Sequence, residues 1–168
     1  MGLHEHRRGA PRSVNCAIVT VSDTRSPETD ESGRLTRELL EAAGHRVRHS
    51  AIVPDEPELV AEELMSLLLR DDVEAVLVNG GTGISPRDRT HEAIAGLLDR
   101  RLDGFGELFR SLSFQEIGAA AMLSRAVAGM ARGRVLFSMP GSPAAVRLAL
   151  DRLIIPELAH IVGESRKT

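Results

Sequence analysis

The feature that most constrains this chain is an alternation. Short runs of apolar and β-branched residues, "VNCAIVTV" (14–21), "HRVRHSAIV" (45–53), "EAVLVN" (74–79) and "RVLFSM" (134–139), are separated by longer stretches with helical spacing. Strand-helix-strand order implies parallel strands joined by right-handed crossovers. A parallel sheet is covered by helices on both faces, and its strands are therefore apolar nearly throughout. The expected fold is a doubly wound, three-layer α/β/α domain with a mostly parallel central sheet.

The helical segments fit that frame. "SGRLTRELLEAAG" (32–44) has Ser32 as its expected cap and Gly44 just past its end. "EPELVAEELMSLLLR" (56–70) carries Pro57 in its first turn, where proline is tolerated. "THEAIAGLLDR" (90–100) is a third helix, and "GFGELFRSLSFQEIG" (104–118) is helical in its middle. "AAAMLSRAVAGMA" (119–131) mixes signals, and "SPAAVRLALDRLIIPELAHIVG" (142–163) reads as one long helix kinked at Pro156. Residues 1–13 are polar and basic with no apolar run behind them, which predicts a flexible tail before a single domain at 14–168.

In an open parallel sheet, ligands bind beyond the carboxyl ends of the strands. The four strands are followed by "VSDT" (21–24), "VPDE" (53–56), "NGGTG" (79–83) and "MPGSP" (139–143). All four segments are turn formers or carboxylates, and the fold puts them on one rim. Gly80, Gly81 and Gly83, with Thr82 between them, can bring backbone N–H groups close to an anion. Pro140, Gly141 and Ser142 form a second such corner, with Ser142 placed to open the last helix. Asp23, Asp55 and Asp88 lie at or just past three of these turns, and Mg²⁺ is typically held by one or two carboxylates plus substrate phosphate oxygens. Arg25 and Arg87 stand beside them as candidate phosphate partners.

Other chemistries are excluded or weakly supported. The glycine loop lacks the G-K-[ST] end of a P-loop, and no G-x-G-x-x-G follows the first strand, so a dinucleotide site is not supported. The six histidines (4, 6, 45, 49, 91 and 160) show no zinc-like spacing. Ser22 has no evident histidine partner for an acyl-enzyme route. The lone Cys16 sits in an apolar run as a structural thiol, in keeping with a reducing cytoplasm. The formal net charge of −3 provides no basic field for nucleic acid, and no apolar run approaches the roughly 20 residues of a membrane span.

The segments "TVSDT", "IVPDE", "GGTGISPRD", "GFGELFR", "LSRAVAG" and "MPGSPAAV" together resemble the MoaB/Mog family of molybdenum-cofactor biosynthesis, over about residues 14 to 160. The resemblance implies a compact domain that assembles into trimers or hexamers and binds molybdopterin, a pterin with a dithiolene and a terminal phosphate. Active members adenylylate that phosphate with Mg²⁺ and ATP. A separate MoeA-like enzyme then exchanges the AMP for molybdate.

By resemblance, Asp23 is the metal and catalytic aspartate, and Asp55 and Asp88 are the other functional aspartates. The turn at 80–83 holds phosphate, 140–142 is the second ligand loop, and Ser22, Ser32, Gly33 and Arg87 belong to the same ligand site. The residues assign neither corner to ATP nor to the pterin phosphate. The family also has silent MoaB branches that act as molybdopterin carriers, and "GFGELFRSLSFQEIG" and "LSRAVAG" look like that branch. A silent branch tends to carry Asn in the "VSD" position, whereas Asp23 implies retained chemistry. "LDGFGELFRSLSF" is rich in Phe and Leu, which suits a subunit interface.

Overall fold

In a computed structural model of the chain, residues 10–86 and 88–167 are described. The proposed tail falls largely outside these residues, and so does Arg87. Six strands, β1 (Asn15–Val21), β2 (Arg46–Val53), β3 (Ala75–Gly80), β4 (Arg100–Arg101), β5 (Val127–Ala131) and β6 (Arg134–Met139), form one sheet in the order β2-β1-β3-β6-β5-β4. The first four in that order run parallel, while β5 is antiparallel to both β6 and β4. Six helices accompany them: α1 (Glu31–Ala42), α2 (Pro57–Leu68), α3 (Thr90–Gly96), α4 (Asp103–Ile117), α5 (Pro143–Ala149) and α6 (Ile155–Ser165).

Side chains alternate across the parallel strands, so each face of the sheet has its own core. Ile18 and Leu77 point to one face, where they pack with Leu40 of α1, Phe109 of α4 and Leu158 of α6. Val19, Val76 and Val78 point to the other, against Val60 and Leu64 of α2 and Ile94 of α3. The expected three-layer α/β/α arrangement is present. Chain direction reverses about β1: α1 carries it outward to β2, and α2 carries it back across to β3. The crevice of the topological switch point therefore lies between the ends of β1 and β3.

Several elements differ from the sequence-based expectation. Asp30, not Ser32, caps α1, accepting from Gly33 N at 2.9 Å. The helix expected at 90–100 stops at Gly96, because Arg100–Arg101 pair with β5. The segment at 104–118 is helical nearly throughout. The ambiguous 119–131 stretch divides into a 3₁₀ turn (Gly118–Leu123) and β5. Its strand was masked by "AGMA", yet the following Arg132 (φ 47) and Gly133 (φ 77) form the two-residue connection with positive φ that tight hairpins favour. The long last helix is not simply kinked. Pro156 has no N–H to donate, and one π-turn (Leu150–Ile154) joins α5 to α6 just before it.

Candidate functional site

At the end of β1, the Ser22 hydroxyl accepts from the backbone N–H groups of Thr24 and Arg25, each at 3.2 Å. That turn presents the exposed Asp23. Asp23 Oδ1 accepts from Asp55 N–H at 2.9 Å, so the segments after β1 and β2 are tied together through this carboxylate. Asp55 Oδ1 in turn accepts from the hydroxyl of buried Thr90 at 2.6 Å.

The glycine corner sits beside this pair. Gly80 has φ +98 and Gly81 φ +66, the left-handed region open to glycine. A Cβ on Gly80 would overlap the carbonyl oxygen of Val21, and one on Gly81 would stand 2.8 Å from Thr90 Cγ2. The second corner touches the first: a Cβ on Gly141 would lie 3.1 Å from Gly80 Cα. Ser32 Oγ donates to Gly141 O at 2.6 Å, which fastens α1 to the same corner. Ser142 Oγ accepts from Ala145 N at 3.2 Å and caps α5 as expected.

The three aspartates fall into two groups. Asp23 and Asp55 are adjacent. Asp88 belongs to the glycine loop itself, where its Oδ2 accepts from Ser85 N at 2.6 Å and its carboxylate packs where a Cβ on Gly83 would stand. The groups are linked through Thr90, which contacts both Asp55 and the backbone beside Gly81.

Two cavities open at this rim on the α1 side of the sheet. A cleft of about 700 Å³ is lined by Ser22, Asp23, Arg25 and Pro54 together with Arg34 and Arg37 of α1. A smaller polar cavity of about 270 Å³ lies under the 140–142 corner, and Thr20, Ser22, Arg25 and Asp30 border both.

Four residues of the rim escaped the sequence reading: Asp30, Asn79, Thr90 and Arg125. Arg125 has the most contacts. Its guanidinium donates to Thr82 O at 3.4 Å, Asp88 O at 2.7 Å and Gly83 O, and it pairs with Glu92. One side chain from the segment just before β5 thus holds the loop containing the glycines and Asp88. Its signal was the quoted "LSRAVAG", whose arginine had no evident partner in sequence. Asp30 was signalled by its place just before α1, and Asn79 by being the one polar residue ending an apolar strand.

Arg125→Ala is expected to cost about 2 kcal/mol of stability, the scale for losing charge-assisted hydrogen bonds. Arg125→Lys should recover little, because a point ammonium cannot replace the planar fork. Thermal melts check this, and an unchanged melting temperature would remove the clamp.

Burial dominates the shifts of three further titratable groups. His45 is buried and accepts from Val14 N at 3.2 Å, and burial holds its pKa below the ordinary histidine value. Burial, followed by the Arg125 guanidinium, does the same to His91. Burial pushes the Cys16 thiol up to about 12, so it is un-ionised and unreactive at neutral pH, as its apolar run implied. Among the described residues, no cluster of three or more His, Cys, Asp or Glu side chains could hold a metal. No helix among them is long and apolar enough to cross a membrane.

Fold and rim define the class: an open, doubly wound α/β domain with its glycine corners at the switch-point end of the sheet. Comparison with known proteins gives the family. The chain belongs to the molybdenum cofactor biosynthesis family of the MoaB type, and the family model described as a probable molybdopterin binding domain matches residues 17–160. It is 54% identical over 168 residues to molybdenum cofactor biosynthesis protein B of Halalkalibacterium halodurans, covering 99% of each chain. A crystal structure of a molybdenum cofactor biosynthesis protein B superposes with TM-score 0.92 at 52% identity, over 95% of this chain and 99% of that one. The tungsten cofactor synthesizing protein MoaB from Pyrococcus furiosus superposes with TM-score 0.82 at 38% identity, over 94% and 100%.

Proposed function

We propose that this chain adenylylates molybdopterin. A phosphate oxygen of molybdopterin attacks the α-phosphorus of ATP, a new P–O–P bond forms, the bond to the β-phosphate's bridging oxygen breaks, and pyrophosphate leaves. Such transfers ask little covalent work of the protein, and positioning and charge stabilisation supply most of the rate. The observation that carries this reading is Asp23: an exposed carboxylate at the mouth of the large cleft, held against Asp55 beside the two touching glycine corners.

These residues suit Mg²⁺, which binds through one or two carboxylates and completes its shell with substrate oxygens. Asp23, with Asp55 or Asp88, would hold it, and its charge would offset that developing on the phosphates. Asp23 orients the segment after β2 through the Asp55 N–H. The N–H groups at 80–83 and 140–142 would each grip a phosphate, and Arg25 would offset charge at the cleft mouth. Arg87 of the "PRD" motif lies outside the described residues, and its proposed phosphate role rests on the sequence. The product would pass to a MoeA-like enzyme in the cytoplasm.

The pure protein, incubated with molybdopterin and Mg-ATP, should release one pyrophosphate per molybdopterin consumed. Molybdopterin binding with no pyrophosphate would replace this reading with that of a carrier.

The same reading includes self-association. Leu108, Phe114 and Ile117 of α4, with Met122 and Leu123 of the 3₁₀ turn, are more than half exposed, an unusual density of large apolar groups at one surface. Sedimentation velocity should show a trimer or hexamer, and Phe114→Glu combined with Ile117→Glu should shift it to monomer. A wild-type monomer would contradict the assembly.

A further inference from the structure

Thr90 opens α3, is fully buried, and touches two parts of the rim at once. Its hydroxyl donates to Asp55 Oδ1 at 2.6 Å, across 35 residues of chain. Its methyl, Cγ2, lies against Gly81, where an added Cβ would stand only 2.8 Å away. A threonine within a helix can return its proton to the carbonyl four residues before, as Thr36 does to Ser32 O at 2.8 Å. Thr90 is the first residue of its helix and has no helical carbonyl behind it, so its proton goes to Asp55 instead.

The two ends of that bond differ in rigidity. α3 is seated through Ile94, fully buried in the same core as Val19, Val76 and Val78 of the sheet. Asp55 stands half exposed in the turn after β2. The Thr90 hydroxyl thus fastens a loop carboxylate to a helix packed on the sheet, and side chains held from such elements keep their geometry best. The 2.6 Å contact lies in the range of O–H···O⁻ bonds, which are about twice as strong as neutral ones. A carboxylate held at one oxygen keeps further lone pairs for a ligand. Asp55 in turn passes the constraint on, because its N–H donates to Asp23 Oδ1 at 2.9 Å. The contacts run from buried Thr90 through Asp55 to exposed Asp23. Asp88 is held by other means, its Oδ2 accepting from Ser85 N in its own loop.

We propose that Thr90 is a positioning residue for the reaction: its hydroxyl sets the Asp55 carboxylate, and through Asp55 the Asp23 carboxylate, while its methyl separately supports the glycine corner. That the carboxylates serve Mg²⁺ rests on the proposed function; the hold of Thr90 on Asp55 rests on geometry alone.

The two roles belong to different atoms, so two substitutions separate them. Thr90→Val keeps the methyl against Gly81 and loses the hydroxyl. Thr90→Ser keeps the hydroxyl and loses the methyl. The test uses the full chain with Mn²⁺ as a paramagnetic stand-in for Mg²⁺, in the presence of the α,β-methylene analogue of ATP, and reads bound metal from the fall in the free-ion resonance signal. Thr90→Val should weaken Mn²⁺ about tenfold or more, the scale for removing a partner that orients a metal-binding carboxylate. Its melting temperature should stay within about 2 °C of the wild type, since water can replace the hydroxyl at half-exposed Asp55. Thr90→Ser should hold Mn²⁺ within about twofold of the wild type, because the oriented carboxylate is retained. Its melting temperature should fall by about 2–4 °C, the shift for one buried methyl in a chain of this size.

Metal affinity that follows melting temperature across the two variants would mark Thr90 as a packing residue only and overturn the proposal. Wild-type Mn²⁺ affinity in Thr90→Val, or no Mn²⁺ uptake by the wild type, overturns it as well. The pyrophosphate assay separates this inference from the proposed function. A chain that releases no pyrophosphate yet loses Mn²⁺ in Thr90→Val and regains it in Thr90→Ser keeps the positioning role and loses the transferase; pyrophosphate release with Mn²⁺ affinity indifferent to Thr90 does the reverse.

Discussion

Asp23→Asn is expected to lower pyrophosphate release on the order of 10²-fold or more, the scale for removing a key electrostatic group from a reacting phosphate. The substitution is nearly isosteric, and an asparagine Oδ1 can still accept from Asp55 N–H, so the link between the β1 and β2 segments survives. Asp23 is exposed and its side chain supports no part of either core, so the melting temperature should stay within a degree or two. The smaller cavity beside Asp30 and Asn79 does not include Asp23, so under the proposed function molybdopterin affinity should also hold. Loss of turnover with intact folding and binding would locate the defect in the charge. Turnover at the wild-type rate would remove the metal role from Asp23.

The largest effect on stability is expected at Gly80. Its φ of +98 is strained for any residue with a Cβ, and the added methyl would overlap the Val21 carbonyl across the β1–β3 pair. Backbone atoms on both sides leave little room to relax. Gly80→Ala should therefore cost about 2–4 kcal/mol, combining left-handed strain with forced displacement of a strand end. Under the proposed function it should also abolish measurable binding of Mg-ATP, since the two glycine corners are in contact there. Gly96→Ala is the control: nothing lies within 4 Å of its Cβ position and its φ is not in the left-handed region. That change should be neutral or stabilising by about 0.5 kcal/mol. Equal melting curves for the two variants would show that the corner is not the tight contact described.

Much of the sheet was legible because burial on both faces leaves a plain mark. "VNCAIVTV", "EAVLVN" and "RVLFSM" are apolar nearly end to end, and they became β1, β3 and β6 within a residue or two. The rim followed from that, since parallel strands place their ends together. β5 did not show, because the glycine and alanines of "VAGMA" carry weak strand preference and its place depends on pairing with β6. The Ser32 assignment failed for a related reason. Asp30 and Ser32 are both good caps two residues apart, and the choice is made by Gly141, more than a hundred residues away, which takes the Ser32 proton.

The site divides along the same line. Asp23, Asp55 and the glycines stand at turns that sequence marks. Thr90, Asn79 and Arg125 matter through partners distant in the chain. Arg125 reaches back to Thr82, Gly83 and Asp88, contacts that no local pattern encodes.

The most direct measurement is a crystal structure of the chain with Mg²⁺, a non-hydrolysable α,β-methylene analogue of ATP and molybdopterin. The expected result is a metal bound through Asp23 beside phosphate oxygens, with phosphate groups against the 80–83 and 140–142 corners. Ligands seated away from those corners, with Asp23 facing only water, would contradict the account.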